Sequence, residues 1–276
     1  VSARKAAAIL VATDHGPMIL NRLDYQSIDN GGAHTGVACT LLERSIYGEE
    51  EVDQLIGILE AKRRCYGAGV VAIDGGANIG VHTISFARAM VGWGSVHAFE
   101  PQERIFYMLA GNVALNNLLN ARVYWVALGK QTGSIQIPLL DYEVPANFGG
   151  LNLRPRACFD TGWDIGQPVD SKDTVPVAMV RIDDLRLPRV DLIKLDVEGM
   201  EAEALAGAQA TLARCHPVIF AEQFICGGGA IRAQLPPGYV VHDLGGYVLA
   251  VHEDDKIRAM LNFTGKDATH SAVITR

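Results

Sequence analysis

Disulfides, metal fingers and membrane spans all lack a signature in this chain. Its five cysteines, Cys39, Cys65, Cys158, Cys215 and Cys226, are an odd number with no C-x-x-C pair among 276 residues. That pattern argues for reduced thiols rather than a disulfide framework or a zinc site. The eight histidines contain no H-x-x-x-H or H-E-x-x-H pair that a helix would aim at a metal. No apolar run approaches the roughly 18 residues needed to cross a bilayer. Surplus positive charge is missing too: 24 Lys and Arg stand against 31 Asp and Glu, a net −7. The main electrostatic term for nucleic acid or an anionic membrane surface is therefore absent. No internal repeat or low-complexity tract is visible. These absences set the expectation of a cytoplasmic globular protein with neither a nucleic-acid partner nor a membrane span.

What is present is a core and a rhythm. Apolar residues make up 49% and charged residues 20% of the chain, ordinary for a globular fold. "AAAILVAT" and "PMILNRL" flank the turn "DHGP" like a hairpin, a better account of the N-terminus than a signal peptide. "EEEVDQLIGILEAKRRC" spaces Val52, Leu55, Ile56 and Leu59 helically, with acids leading and Lys62, Arg63 and Arg64 closing. Strand "VVAID", helix "VHTISFARAM", strand "SVHAF", a helix over about 104–118 and strand "ARVYWVAL" then alternate. Such alternation predicts βαβ units and a mainly parallel sheet. Between about 130 and 189 it gives way to short strand-like pieces, "SIQIPLL", "GGLNLRP" and "TVPVAMVRI", with "GWDIGQPVDSKD" as an exposed loop. We read this as a β-rich insertion. Strand "LIKLD", a helix over about 199–214 and strand "VIFAE" resume the pattern. "YVVHDL" and "YVLAVH", joined across "GG", suggest a terminal antiparallel hairpin. The tail "NFTGKDATHSAVITR" is expected to be loosely held. The division expected is an N-terminal hairpin and helix over 1–65 packing on a core over 66–276.

The first core strand delivers the chain into "DGGANIG", where glycines at a strand-to-helix turn either make the turn or admit a nucleotide-type ligand. The spacing is not G-x-G-x-x-G, because Gly76 and Gly80 lie four apart around Asn78. Asp74 at the loop mouth would repel a pyrophosphate resting on the helix N-terminus. It would attract a cofactor bearing ammonium and sulfonium groups, which describes S-adenosylmethionine (SAM). Glu100 ends the second strand 26 residues later, where a carboxylate can accept hydrogen bonds from ribose hydroxyls.

"VVAIDGGANIGVHTISFA", "VHAFEP", "NVALNN", "VALGKQTGSIQIP", "NFGG" and "VDLIKLDVEGMEAEALAGA" together resemble the FkbM-type family of SAM-dependent methyltransferases. The match runs in order across about residues 70–222, and "IKLDVEG" is its most specific part. The resemblance implies a Rossmann-like methyltransferase fold and O-methylation of a sugar or natural-product hydroxyl, with S-adenosylhomocysteine as product. By position it implies that Asp74, Gly75, Gly76, Asn78 and Gly80 form the methionine-end loop, with Thr83 opening the helix beneath. It also implies that Glu100 is the ribose acid, that Pro101 shapes the adenine pocket, and that Asn147 and Gly149 lie near cofactor or acceptor. His82 either covers the helix start or touches ligand.

Methyl transfer to an alcohol needs in-line alignment and removal of a proton. Asp196 ends the strand next to the first in the usual methyltransferase order, Glu198 follows it, and Glu222 ends the strand after. These acids and Lys194 are the catalytic candidates. Asp196, Glu222 and the neighbouring amide of Gln223 would also suit a hard cation, but the resemblance does not require a metal and none is expected. Lys194 either braces an ion pair or tunes a base, and lies on the face of Asp196. Glu201 and Glu203 need no more than the helix dipole and solvent. Two other readings stay open: a SAM-binding module without transferase activity, and an NAD-dependent oxidoreductase.

Overall fold

The computed structural model describes residues 6–27, 34–153, 165–169, 173–264 and 271–274. In chain order the elements are β1 (Ala8–Thr13), β2 (Gly16–Asn21), the short β3 (Gln26–Ser27) and β4 (His34–Thr35), α1 (Val37–Arg44) and α2 (Glu49–Tyr66). The alternating core follows: β5 (Val70–Gly75), α3 (Val81–Ala89), β6 (Gly94–Phe99), α4 (Glu103–Leu115) and β7 (Ala121–Tyr124). Next come β8 (Ala127–Leu128), β9 (Gly133–Pro138), β10 (Thr174–Val180), β11 (Leu192–Leu195), α5 (Glu201–Ala206), α6 (Gln209–Cys215), β12 (Val218–Glu222) and α7 (Gly228–Arg232). The chain closes with β13 (Tyr239–Asp243), β14 (Tyr247–His252), β15 (Leu261–Thr264) and β16 (Ser271–Ile274).

Seven strands form the central sheet in the order β13-β14-β12-β11-β5-β6-β7. The run from β12 to β7 is parallel, and β14 is antiparallel to both of its neighbours. This is a Rossmann-like methyltransferase sheet, with the C-terminal hairpin's second strand inserted inside its first. Strand alternation sorts the apolar side chains onto two faces. Val70, Ala72 and Leu192 join a core with Leu55, Ile58 and Leu59 of α2 and Ile84 and Phe86 of α3. Ile73, Ile193, Leu195 and Ile219 face Ala204 and Leu205 of α5, Leu212 of α6 and Ile231 of α7. Because both faces are covered, the strands read as continuous apolar runs.

Four expectations need correction. "ARVYWVAL" is not one strand: β7 stays in the main sheet, while β8 leaves it to pair with β10. β8, β10 and β9 form a separate three-stranded sheet, the folded part of the insertion. The 199–214 helix is broken at Gly207, where a Cβ would stand 2.1 Å from Gly129 O. Contact with the insertion thus takes precedence over helix continuity. The described part of "GGLNLRP", residues 149–153, carries the end of a 3-10 turn over Phe148–Gly150 and no strand. The tail pairs β15 with β16 in antiparallel register. Cys158 and half of the 162–173 loop lie outside the described residues.

Two long-range ties matter for the site. Asp24, following the β1–β2 hairpin, accepts hydrogen bonds from Ala38 N (2.9 Å) and Phe148 N (3.0 Å), joining the N-terminal segment to the insertion. Burial pushes its carboxyl up to about 6. In α2, the buried Lys62 pairs with Asp255, which also accepts from Tyr66 Oη at 3.0 Å. Among the described residues no helix is long and apolar enough to cross a membrane.

Candidate active site

At the C-terminal ends of the parallel strands lies a cleft, lined by the 76–79 loop, Glu100–Gln102, Asn147–Leu151 and Lys194–Glu198. Tyr47, His82, Glu222, Phe224 and Tyr247 complete its walls. Its position follows from topology, since open α/β sheets present ligand sites beyond the strands' carboxyl ends.

The loop after β5 keeps its own amides busy. Gly76 N and Ala77 N both donate to Phe99 O at 3.0 Å. Asn78 N donates to Glu100 Oε2 (3.0 Å) and Ile79 N to Asn78 Oδ1 (2.7 Å), while Gly80 N donates to Ala77 O (2.9 Å). No amide from 76 to 80 is left for a pyrophosphate, which removes the cradle a dinucleotide would use. The glycines serve packing as much as ligand approach. A Cβ on Gly76 (φ 71°) would stand 1.7 Å from Asp196 O, and one on Gly80 2.8 Å from the Leu109 side chain. Gly75 likewise makes room for Leu195 and Leu128.

Glu100 closes this side. Its Oε1 accepts from Gln102 N at 2.8 Å, so both oxygens bond backbone amides while the residue still lines the cleft. Burial, against those two amides, pushes its carboxyl up to about 7. Gln102 donates to Phe148 O (2.9 Å) and accepts from Tyr142 Oη (3.0 Å), which clamps the Asn147–Gly150 turn beside Glu100.

Asp74 is fully buried and does not line the cleft. Its Oδ2 accepts from Thr83 Oγ1 at 2.6 Å, and its Oδ1 lies 3.5 Å from Lys194 Nζ. Asp74 and Thr83 thus sit behind the wall that the sequence expects them to form. Lys194, 2% exposed, also reaches Asp196 Oδ2 at 3.6 Å and donates to Gly76 O at 3.4 Å. Burial opposes its charge, but Asp196, Asp74 and Glu51 outweigh that and hold it firmly protonated. Isolating one such ion costs several kcal/mol, so the flanking carboxylates are what make this lysine tolerable in a core strand.

Ligand atoms of Asp196, Glu198 and Glu222 lie within 4.8 Å of one another. Burial, then Asp196, pushes Glu222 up to about 8, and the same causes push Glu198 well above the carboxylate range. Glu198 sits at φ 51°, a region a non-glycine residue adopts at a cost that clusters at functional sites. Gln223 turns away to Asp243, Gly245 and Tyr247, so it does not join these acids as a cation ligand. Glu201 is a further correction: it is 1% exposed rather than solvated. Its Oε1 accepts from Val197 N (2.9 Å) and Gly199 N (3.3 Å), which fixes the turn that carries Glu198.

The model of the methyltransferase FkbM domain matches residues 74–264. The chain belongs to the FkbM methyltransferase family. "Methyltransferase 1" of Beauveria bassiana (strain ARSEF 2860) is 27% identical over 143 aligned positions, taking in 49% of this chain and 57% of that one. The match thus spans little more than half the length of that relative. Methyltransferase FkbM from Methylobacillus flagellatus KT superposes with a TM-score of 0.44 at 16% identity, over 78% of this chain and 57% of that one. The O-methyltransferase TomG from Streptomyces achromogenes, in complex with SAM, gives 0.43 at 11% identity, over 75% and 81%.

The family match begins at Asp74, yet the cleft takes Tyr47, and His82 its neighbouring carboxylate, from before it. His82 Nε2 lies 2.8 Å from Glu51 Oε1 of α2. Burial, then Asp196, holds the Tyr47 phenol well above its usual range, and burial with Glu51 does the same for Tyr247. The sequence reading missed Tyr47, Tyr247, Gln102 and Phe224. It saw Glu51 only as a helix-dipole acid. The one available signal was Gln102, directly after the "FEP" strand end.

Proposed function

We propose that the protein is a SAM-dependent O-methyltransferase acting on a hydroxyl of a sugar or natural-product scaffold. The observation that carries this reading is Glu100: a strand-end carboxylate in the cleft, beside a loop whose amides are all consumed. Such a wall suits ribose hydroxyls and rejects phosphate. SAM would rest on Gly76–Asn78, Glu100, Pro101 and the Asn147–Gly149 turn. Bound there, it supplies an electrophilic methyl group on a sulfonium.

The chain's own residues do the remaining work. Asp74 and Thr83 hold Lys194 and the loop from behind. Lys194 fixes Asp196 at the strand end. Glu222, pushed up to about 8 and so largely protonated near neutral pH, can both donate and accept hydrogen bonds, which suits the orientation of a hydroxylated acceptor beside Glu198. Residues 1–65 are read as a segment packed on the 66–276 core and contributing to the acceptor side.

Calorimetry tests the cofactor reading. Wild-type protein should bind SAM, and Glu100→Ala should weaken it about 10- to 100-fold, the worth of hydrogen bonds to a charged group. Unchanged affinity in that variant would sink the assignment. SAM turnover across a panel of glycosides, polyketides and lipid-linked sugars then identifies the acceptor class.

A further inference from the structure

The acids at the ends of β11 and β12 leave the acceptor's proton without a good destination. Glu222, pushed up to about 8, already holds a proton near neutral pH, and burial with Asp196 pushes the Glu198 carboxyl well above its ordinary range. Asp196 is engaged by Lys194 Nζ at 3.6 Å. One other proton acceptor lines the same cleft. His82 opens α3, 7% exposed, its ring held edge-on against Phe86 at 5.7 Å.

Its surroundings are specific. Nε2 lies 2.8 Å from Glu51 Oε1 in an ion-pair contact, and neither of these buried atoms has a hydrogen-bond partner among the described residues. A carboxylate at that distance requires the ring proton on Nε2. With Nε2 sealed against Glu51, Nδ1 is the nitrogen left bare, and it makes no hydrogen bond among the described residues. Burial opposes ionisation of Glu51, but His82 and then Lys194 outweigh it and hold the carboxyl below its ordinary range. Tyr247 also hydrogen-bonds Glu51, His15 and Lys194 are the nearby basic groups, and Tyr47 stays a neutral phenol in the same wall.

We propose that His82 is the general base of methyl transfer and that Glu51 of α2 is its positioning residue. The proposal rests on the transferase reading above. The acceptor oxygen forms the new C–O bond to the methyl carbon, the C–S bond breaks, and its electron pair goes to sulfur. The hydroxyl proton passes to Nδ1, leaving an imidazolium whose Nε2–H faces the Glu51 carboxylate. The logic is that of a carboxylate-oriented histidine, with the carboxylate fixing tautomer and ring and stabilising the charge that forms. Glu51 lies outside the 74–264 family match, so the segment before the conserved domain would complete its catalytic machinery.

The ring nitrogens decide the dyad without any acceptor. In the 15N-histidine-labelled full chain, with signals assigned by His82→Gln, His82 should be the Nε2–H tautomer. Glu51→Ala should abolish that preference while the protein still melts cooperatively. An Nδ1–H tautomer in the wild type would overturn the proposal. With an acceptor from the panel, His82→Gln should lower kcat about 100-fold or more and leave SAM affinity within about twofold. Glu51→Ala should lower kcat about tenfold and shift the acid limb of the pH–rate profile, with Glu51→Asp restoring most of both. A His82→Gln enzyme within about threefold of wild-type kcat, with an unchanged pH profile, would also overturn it. Failure of the wild type to bind SAM would instead sink the transferase reading, and the nitrogen shifts would still report on the dyad.

Discussion

The two sides of the cleft are built in opposite ways. The side proposed for the cofactor comes mainly from one βαβ unit, and its lining groups meet neighbouring backbone: Glu100 accepts from Asn78 N and Gln102 N, and Gly76 N and Ala77 N donate to Phe99 O. The side proposed for the acceptor gathers Glu51, His82, Asp196, Glu198, Glu222 and Tyr247 from distant segments. There, among the described residues, Glu222 Oε2 is buried without a hydrogen-bond partner, and Glu51 Oε1 and His82 Nε2 have only their 2.8 Å contact with each other. Stability favours the first design, because an unmet buried polar group costs about 1–3 kcal/mol. Reactivity favours the second, since groups that packing has not satisfied remain available to a substrate.

Lys194 joins the sides, and removing it should break the comparison most severely. Lys194→Met strands the carboxylate of Asp74 in the core, and the expected loss is about 3–5 kcal/mol in urea unfolding. A loss below about 1 kcal/mol would mean that the ion cluster is not what fixes the strand end. Gly76→Ala comes next: its Cβ would stand 1.7 Å from Asp196 O at φ 71°. We expect a loss of about 3 kcal/mol from overlap and backbone strain, with weakened SAM binding by calorimetry. The smallest effect is a pH slope. Glu100 rises from 4.5 to about 7 on folding, so the folded state holds its proton more tightly than the unfolded chain. Its contribution is complete below the unfolded value and is lost as pH climbs through about 7. Melting temperature should therefore fall between pH 5 and pH 8. Glu100→Gln should flatten that slope by on the order of 2 kcal/mol, while the share from Glu222 and Asp24 persists.

The same contrast explains what could be read from the sequence. β5, β6, β11 and β12 announce themselves because strands covered on both faces carry uninterrupted apolar runs. Glu100 stands out because it directly ends one of them. The sequence could not show that Asp74 turns inward, because its partners Thr83 and Lys194 lie on different elements. Nor could it show that Gly207 breaks a helix, since the reason is the carbonyl of Gly129, just after β8, where the chain has left the main sheet. Glu51 was visible only as one of three leading acids, and just the packing of α2 on α3 separates it from Glu49 and Glu50. Local chemistry is legible where the partner is a nearby amide, and hidden where the partner is a remote side chain.

The clasp between Lys62 and Asp255 has a consequence in the order of synthesis. Its halves are 193 residues apart, and it ties the helix bearing Glu51 to the segment following β14, the strand that carries Tyr247. At about 5–20 residues per second, the second half emerges roughly 10–40 s after the first. The clasp that holds α2 against the core therefore waits for the last tenth of the chain, so on the proposed function a prematurely released polypeptide would lack the contact that seats Glu51 beside His82.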